Sequence, residues 1–171
     1  MDTTNYISLT TAQEIHRLTI THSGGGIYEH IDLDRLDSVL TNIQNDDYYP
    51  TFVDKITHLF YCTCQFHCFA DGNKRLAITL SAHFLLINGY MSVAKHFFEI
   101  TENISYQVAA GKIDKELLHR ILTAIMENTY DTIGKNGVAI PKAFFKVICK
   151  KYKEQYLFLC KKLNIPPESF Q

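Results

Sequence analysis

Residues 66–89 read FHCFADGNKRLAITLSAHFLLING. A stretch rich in polar and charged groups leads straight into an apolar run, and Asn88-Gly89 closes that run as a helix C-cap signal. Leu76, Leu80, Phe84 and Ile87 recur at helical spacing, while Ala77, Ala82 and Leu85 cover much of the remaining surface. A helix apolar on nearly every side belongs in the middle of a bundle. The stretch therefore predicts a central helix over about 73–86, with the loop 66–72 at its N-terminus.

Working outward, the rest of the chain reads as all-α. Thr10 or Thr11 can cap a first helix, with Ile15 and Leu18 inward, that ends near Ser23-Gly24-Gly25-Gly26. A second helix is expected over 34–44 on Leu36, Val39, Leu40 and Ile43, and a third over 53–65 on Ile56, Leu59, Phe60 and Cys64. Between them DYYPTF, residues 47–52, reads as extended, because Pro50 disfavours helical geometry at Tyr49. Further helices are expected over 97–110 and 114–128. Residues 131–140 are linker-like, and Pro141 suits the first turn of a last helix over 142–163.

The bulk figures narrow the class. A chain of 171 residues with 46% hydrophobic and 20% charged residues fits one soluble domain with its own core. The net charge of -1 gives no reason to expect nucleic acid. Residues 130–171 carry eight lysines against three acidic residues, a charge of +5, which leaves -6 for the remainder. We therefore expect a main domain over 1–129 and a basic helical extension over 130–171. No signal-like start and no membrane-length apolar run are visible. Five cysteines, an odd count, favour reduced thiols and a cytoplasmic setting.

The loop carries the chemistry. A helix N-terminus offers unpartnered N–H groups and partial positive charge, which together favour phosphate. Gly72 allows close backbone approach, Asn73 can cap the helix and donate to an oxygen, and Lys74 and Arg75 add full charge. Asp71 makes sense beside phosphate when a divalent cation bridges the two. His67 is a candidate general base within reach of the same point. Such a set suits transfer of a phosphorus-centred group to a hydroxyl.

Two other readings fail on spacing. GxxxxGK[ST] is absent, and the Gly24–Gly26 run does not form GxGxxG after a strand. Cys62, Cys64, His67 and Cys68 suggest a zinc knuckle, but helix neighbours two apart point to nearly opposite sides. Buried thiols are the ordinary role. No motif attaches to His16, His22, His58, His83 or His119.

His67 to Arg75, HCFADGNKR, resembles the HxFx[DE][GA]N[GK]R signature of the Fic/Doc family, long and without gaps. Gly24-Gly25-Gly26 with the following helix, and FLLINGY at 84–90, extend the similarity over about 5–126. The resemblance implies a compact helical bundle with a small flap β-hairpin, and ATP- and Mg2+-dependent modification of protein hydroxyls. It implies His67 as the base, Asp71 as the metal ligand and Gly72, Asn73 and Arg75 as the phosphate set, with Phe69 as the buried loop anchor. Tyr48, Tyr49 and Phe52 would lie near the flap that docks a target segment; a plain loop packed on the core is the alternative there.

Lys74 stands where AMP-transferring members usually have Gly, and Ile78 where they have a second Arg. Both departures resemble the Doc branch, the toxin half of death-on-curing toxin–antitoxin pairs, whose described activity phosphorylates a translation factor. Cys68 replaces a common proline. Thr123, Glu127 and Asn128 fit the family's inhibitory string [ST]xxxE[GN], which sets only three loose constraints. Expected partners are a target protein and an antitoxin, with neither nucleic acid nor membrane. The basic last helix is a candidate for contact with an antitoxin or a second copy, or for docking on its own domain. A Fic-fold module that binds protein without catalysis is the rival function.

Overall fold

The structure, a computed structural model, describes residues 3–127 of the 171. The chain divides into two compact units, Met1–His119 and Arg120–Gln171. Helices α1 (Leu9–His22), α2 (Leu33–Asn42), α3 (Phe52–Gln65), α4 (Asn73–Ile87) and α5 (Met91–Ala109) belong to the first, and α6 (Lys115–Glu127) begins there. The expected extension 130–171, with its helix over 142–163, lies outside the described residues.

The central helix is where the apolar run predicts it. α4 packs against α1, α3 and α5, and Leu76, Ala77, Leu80, Phe84 and Leu85 are fully buried. Phe60 and Leu59 of α3 and Phe97 and Ile104 of α5, the helices packed against it, are buried as well.

Local chemistry sets the boundaries. Ser8, rather than Thr10 or Thr11, caps α1: its hydroxyl accepts from the Thr11 N–H at 3.1 Å. Asp32 caps α2 in the same way, and Thr51 with Asp54 forms a capping box on α3. α5 starts about a turn and a half earlier than the apolar spacing suggests, because the Gly89 turn feeds it directly and the Ala94 N–H donates to the Tyr90 carbonyl at 2.9 Å.

DYYPTF is extended only in part: Thr51 lies in the extended region, φ -107 and ψ 159, whereas the stretch opens in a turn. The Tyr48 and Tyr49 N–H groups both donate to the Asn45 carbonyl, and the Asp47 N–H donates to Asn45 Oδ1 at 2.9 Å. Asn45 thus builds a tight turn that the restriction imposed by Pro50 did not reveal. No strand, and so no flap hairpin, occurs among the described residues; the one β feature there is an isolated bridge between His30 and Phe69. None of the described helices is long and apolar enough to cross a membrane.

Candidate active site

The loop between α3 and α4 is held from both sides. The Phe66 carbonyl accepts from Arg35 Nη1 at 3.2 Å. The Cys68 carbonyl accepts from the Ile31 and Asp32 N–H groups at 2.8 and 3.1 Å, and the Ala70 N–H donates to the Glu29 carbonyl at 2.8 Å. Residues 29–32 therefore act as a backbone splint along the loop. His67 is exposed between these anchors with φ 48, the one positive-φ residue other than glycine among the described residues. A left-handed histidine is uncommon and persists only where its surroundings fix it, a pattern that gathers at functional sites.

Phe69 is buried and anchors the loop. The Asn73 side chain clamps it: Oδ1 accepts from the Phe69 N–H at 3.0 Å and Nδ2 donates to the Phe69 carbonyl at 2.8 Å. Both ends of this amide are engaged, so Asn73 holds loop geometry and does not cap α4. On the other side of Phe69 the His16 ring stacks at 3.6 Å between centroids, and its Nε2 lies 2.8 Å from the Asp71 carbonyl.

α4 differs from α1, α2 and α3 at its start. Its N-cap is Gly72 in the left-handed region, φ 81, with no side-chain cap. The φ favours glycine, and a Cβ there would lie 2.5 Å from Ile20 Cδ1, so the end of the Ile20 side chain would have to move to admit one. Asp71, Gly72, Lys74 and Arg75 line a cavity of about 650 Å3, closed by Thr19 of α1, by Ser23 just after it and by Phe98, Glu102 and Tyr106 of α5. That volume suits a nucleotide-sized ligand.

The charges are arranged with care for one carboxylate. Asp71 Oδ1 accepts from the Gly72 N–H at 2.6 Å, and Oδ2 from Arg75 Nη2 at 3.2 Å. The Gly72 N–H above all, then Arg75 and the Ile27 N–H, hold this carboxyl below the usual range, so it is ionised at neutral pH. Lys74 Nζ lies 5.2 Å from the centroid of the Tyr106 ring, and Ile78, also lining the cavity, is buried. A left-handed glycine at an uncapped helix start, with Lys74, Arg75, Asp71 and Glu102 around a cavity, can bind phosphate and a cation with it.

Residues 6–85 match the Fic/DOC family model. No curated protein and no solved structure matches the chain. The Fic/DOC family is known for transferase activity, typically with ATP and a divalent metal. The match ends within α4, so α5, which supplies one wall of the cavity, lies beyond it.

Within the matched region the candidate residues do not all converge. Asp71, Gly72, Asn73, Lys74 and Arg75 share the cavity, and His67, four residues from Asp71, is not among its lining. Tyr48 is exposed on the Asn45 turn. The Tyr49 hydroxyl lies 2.8 Å from His58 Nδ1, and Phe52 stacks on Phe84 at 4.7 Å. Tyr48 and Tyr49 sit on the α2–α3 connection and Phe52 opens α3, whereas the segment beside the loop is 29–32. Thr123 and Glu127 lie on α6 in the second unit, and Asn128 is outside the described residues.

Among the described residues no group of three His, Cys, Asp or Glu could hold a metal by itself. Asp71 fits the other mode, in which Mg2+ takes one carboxylate and the phosphates of a bound nucleotide. Cys62, Cys64 and Cys68 are free and buried; burial pushes the Cys64 thiol up to about 12 and Cys68 up to about 11, so both are inert thiols at neutral pH. The sequence missed His16, Ser23 and the α5 wall. His16 lies on α1's inner face with Ala12, Thr19 and Ile20, where helical spacing could have placed it, whereas Ser23 is the residue that ends the helix.

Proposed function

We propose that this protein transfers a phosphorus-centred group from ATP to a hydroxyl side chain of another protein, with His67 as the base. The observation that carries this is the cavity at the uncapped start of α4, where Asp71, Gly72, Lys74 and Arg75 meet, inside the segment that matches the Fic/DOC family. His67 takes the hydroxyl proton as the oxygen forms its bond to phosphorus. The bond to the leaving group breaks, releasing diphosphate after attack at the α-phosphorus or ADP after attack at the γ-phosphorus. Asp71 would hold Mg2+ together with the ATP phosphates, and the bound ion supplies charge neutralisation there.

Lys74 and Ile78 argue for phosphate rather than AMP. They leave a single cation on α4's first turn besides Arg75, and an apolar side chain in the cavity wall where a second Arg would grip the nucleotide. This is the Doc-like arrangement, and it supports a cytoplasmic toxin acting on a translation factor and restrained by an antitoxin.

The test uses ATP labelled separately at its α- and γ-phosphates, cell lysate, and wild type beside His67→Ala. Label from the γ-position on a protein band, absent with His67→Ala, is the expected result. Label from the α-position alone assigns AMP transfer. No label from either position, with equal toxicity of both proteins in cells, favours the non-catalytic binding module.

A further inference from the structure

His16 is wholly buried in α1, 0% exposed, between Tyr28 and Phe69. Its Nε2 is 2.8 Å from the Asp71 carbonyl oxygen. A carbonyl only accepts, so Nε2 carries the proton and donates. Nδ1 is then a bare acceptor, buried and with no hydrogen-bond partner among the described residues. Such an orphan in a folded core calls for a reason. Packing does not supply it: a phenylalanine would keep the stack on Phe69 and bury no unpaired nitrogen, but it would take the donor away from the Asp71 carbonyl.

The reason lies in what Nε2 holds. The Asp71 carbonyl belongs to the peptide that joins Asp71 to Gly72, and a peptide next to a left-handed glycine turns over easily unless it is tied. Gly72 packs so closely that a Cβ on it would sit 3.2 Å from His16 Nε2. The same peptide carries the Gly72 N–H that donates to Asp71 Oδ1. Its orientation therefore sets both the aim of the carboxylate and the first turn of α4. His16 itself is not part of the cavity wall.

We propose that His16 is a positioning residue: by donating to the Asp71 carbonyl it fixes the Asp71–Gly72 peptide, so that the Asp71 carboxylate faces a divalent cation bound with a nucleotide in the cavity. The role presupposes the ATP-dependent transfer proposed above and names the residue that sets its metal geometry.

The test reads binding rather than turnover. Mn2+ with ATP is titrated into the full-length protein and followed by electron paramagnetic resonance, with the thermal midpoint measured alongside. His16→Phe keeps an aromatic ring on Phe69 and, in the folded protein, weakens Mn2+ binding by about tenfold or more, in the range typical for losing a partner that orients a metal ligand. His16→Gln, whose amide reaches the Nε2 position, stays within about threefold of wild type. Adding His16→Phe to Asp71→Asn produces no further loss.

Wild-type affinity in a folded His16→Phe protein overturns the role, as does an equal loss in His16→Gln. If His16→Phe does not fold, His16→Asn replaces it. Its amide reaches only the Nδ1 position, so it should weaken binding where His16→Gln does not, and equal binding by the two overturns the role. A wild type that binds Mn2+ with ATP through His16 but labels no protein sinks the transfer function and leaves His16 in place. A wild type that binds no Mn2+ with ATP overturns the role itself.

Discussion

Arg75 Nη2 donates to Asp71 Oδ2 at 3.2 Å, while Nη1 of the same guanidinium donates to the Ser23 carbonyl, the Ser23 hydroxyl and the Gly25 carbonyl. One side chain thus ties the glycine turn after α1 to the start of α4. The ion pair is partly exposed, with Arg75 at 31% and Asp71 at 46%, so alone it contributes little. The fork of charged hydrogen bonds to the turn contributes more, and an ammonium group cannot span those acceptors. Arg75→Lys should lower unfolding stability by about 1–2 kcal/mol in urea titration. An unchanged midpoint would mean that the guanidinium does not hold the turn.

The glycine turn separates strain from contact. Gly24 has φ 95, and a Cβ there meets nothing within 4 Å, so Gly24→Ala suffers backbone strain alone, about 1 kcal/mol. At Gly26, φ 147, the added Cβ runs into Asp71 Oδ2 and comes within 3.1 Å of Arg75 Nη2. Gly26→Ala should therefore weaken Mn2+·ATP binding markedly, while Gly24→Ala leaves it near wild type. Calorimetric titration of both variants checks this, and equal affinities would remove Gly26 from the site.

Part of this arrangement was legible in the sequence. Apolar spacing located α4, and the signature residues located the loop at its start, because both depend on local pattern. What was not legible depends on contacts across the chain. His16 lies 55 positions from Asp71, and nothing in EIHRL marks a donor to a carbonyl so far away. The flanking splint is backbone hydrogen bonding by residues 29–32, which has no side-chain signature. The Tyr48-Tyr49 pair drew attention as aromatics near a flap, yet Tyr49 turns to His58, a partner set by how α3 packs.

Asn73 has a structural duty that an aspartate cannot fill. Asn73→Asp keeps the acceptor for the Phe69 N–H but loses the donor to the Phe69 carbonyl, leaving two acceptors facing each other near the buried loop. A negative charge at the start of α4 is favourable for the helix by a few tenths to about 1 kcal/mol, less than the lost bond and its repulsive replacement, about 1–3 kcal/mol. The variant should melt several degrees lower, and proteolysis should cut first within the loop 67–72. A variant as stable as wild type would show that the clamp is dispensable.

His58 gives the stability a specific pH dependence. It is buried on α3, with Lys115 Nζ and the Tyr49 hydroxyl each 2.8 Å from Nδ1. An ammonium only donates, so Nδ1 accepts and the ring is neutral. Burial first, then the Lys115 charge, push its pKa down from 6.5 to about 4. In the unfolded chain His58 titrates near 6.5, so below that pH the unfolded state binds a proton that the folded state refuses. This contribution is complete above about pH 6.5 and is lost as pH falls towards 4. Between about pH 7 and pH 5.5 wild type should lose about 1 kcal/mol more stability than His58→Gln, which has no such proton to take up. Comparing the two slopes also cancels the other titrating groups, including His16, whose pKa burial lowers as well. Parallel slopes in urea titrations across this range would mean that His58 titrates alike in both states, and that the Lys115 and Tyr49 contacts do not hold it neutral.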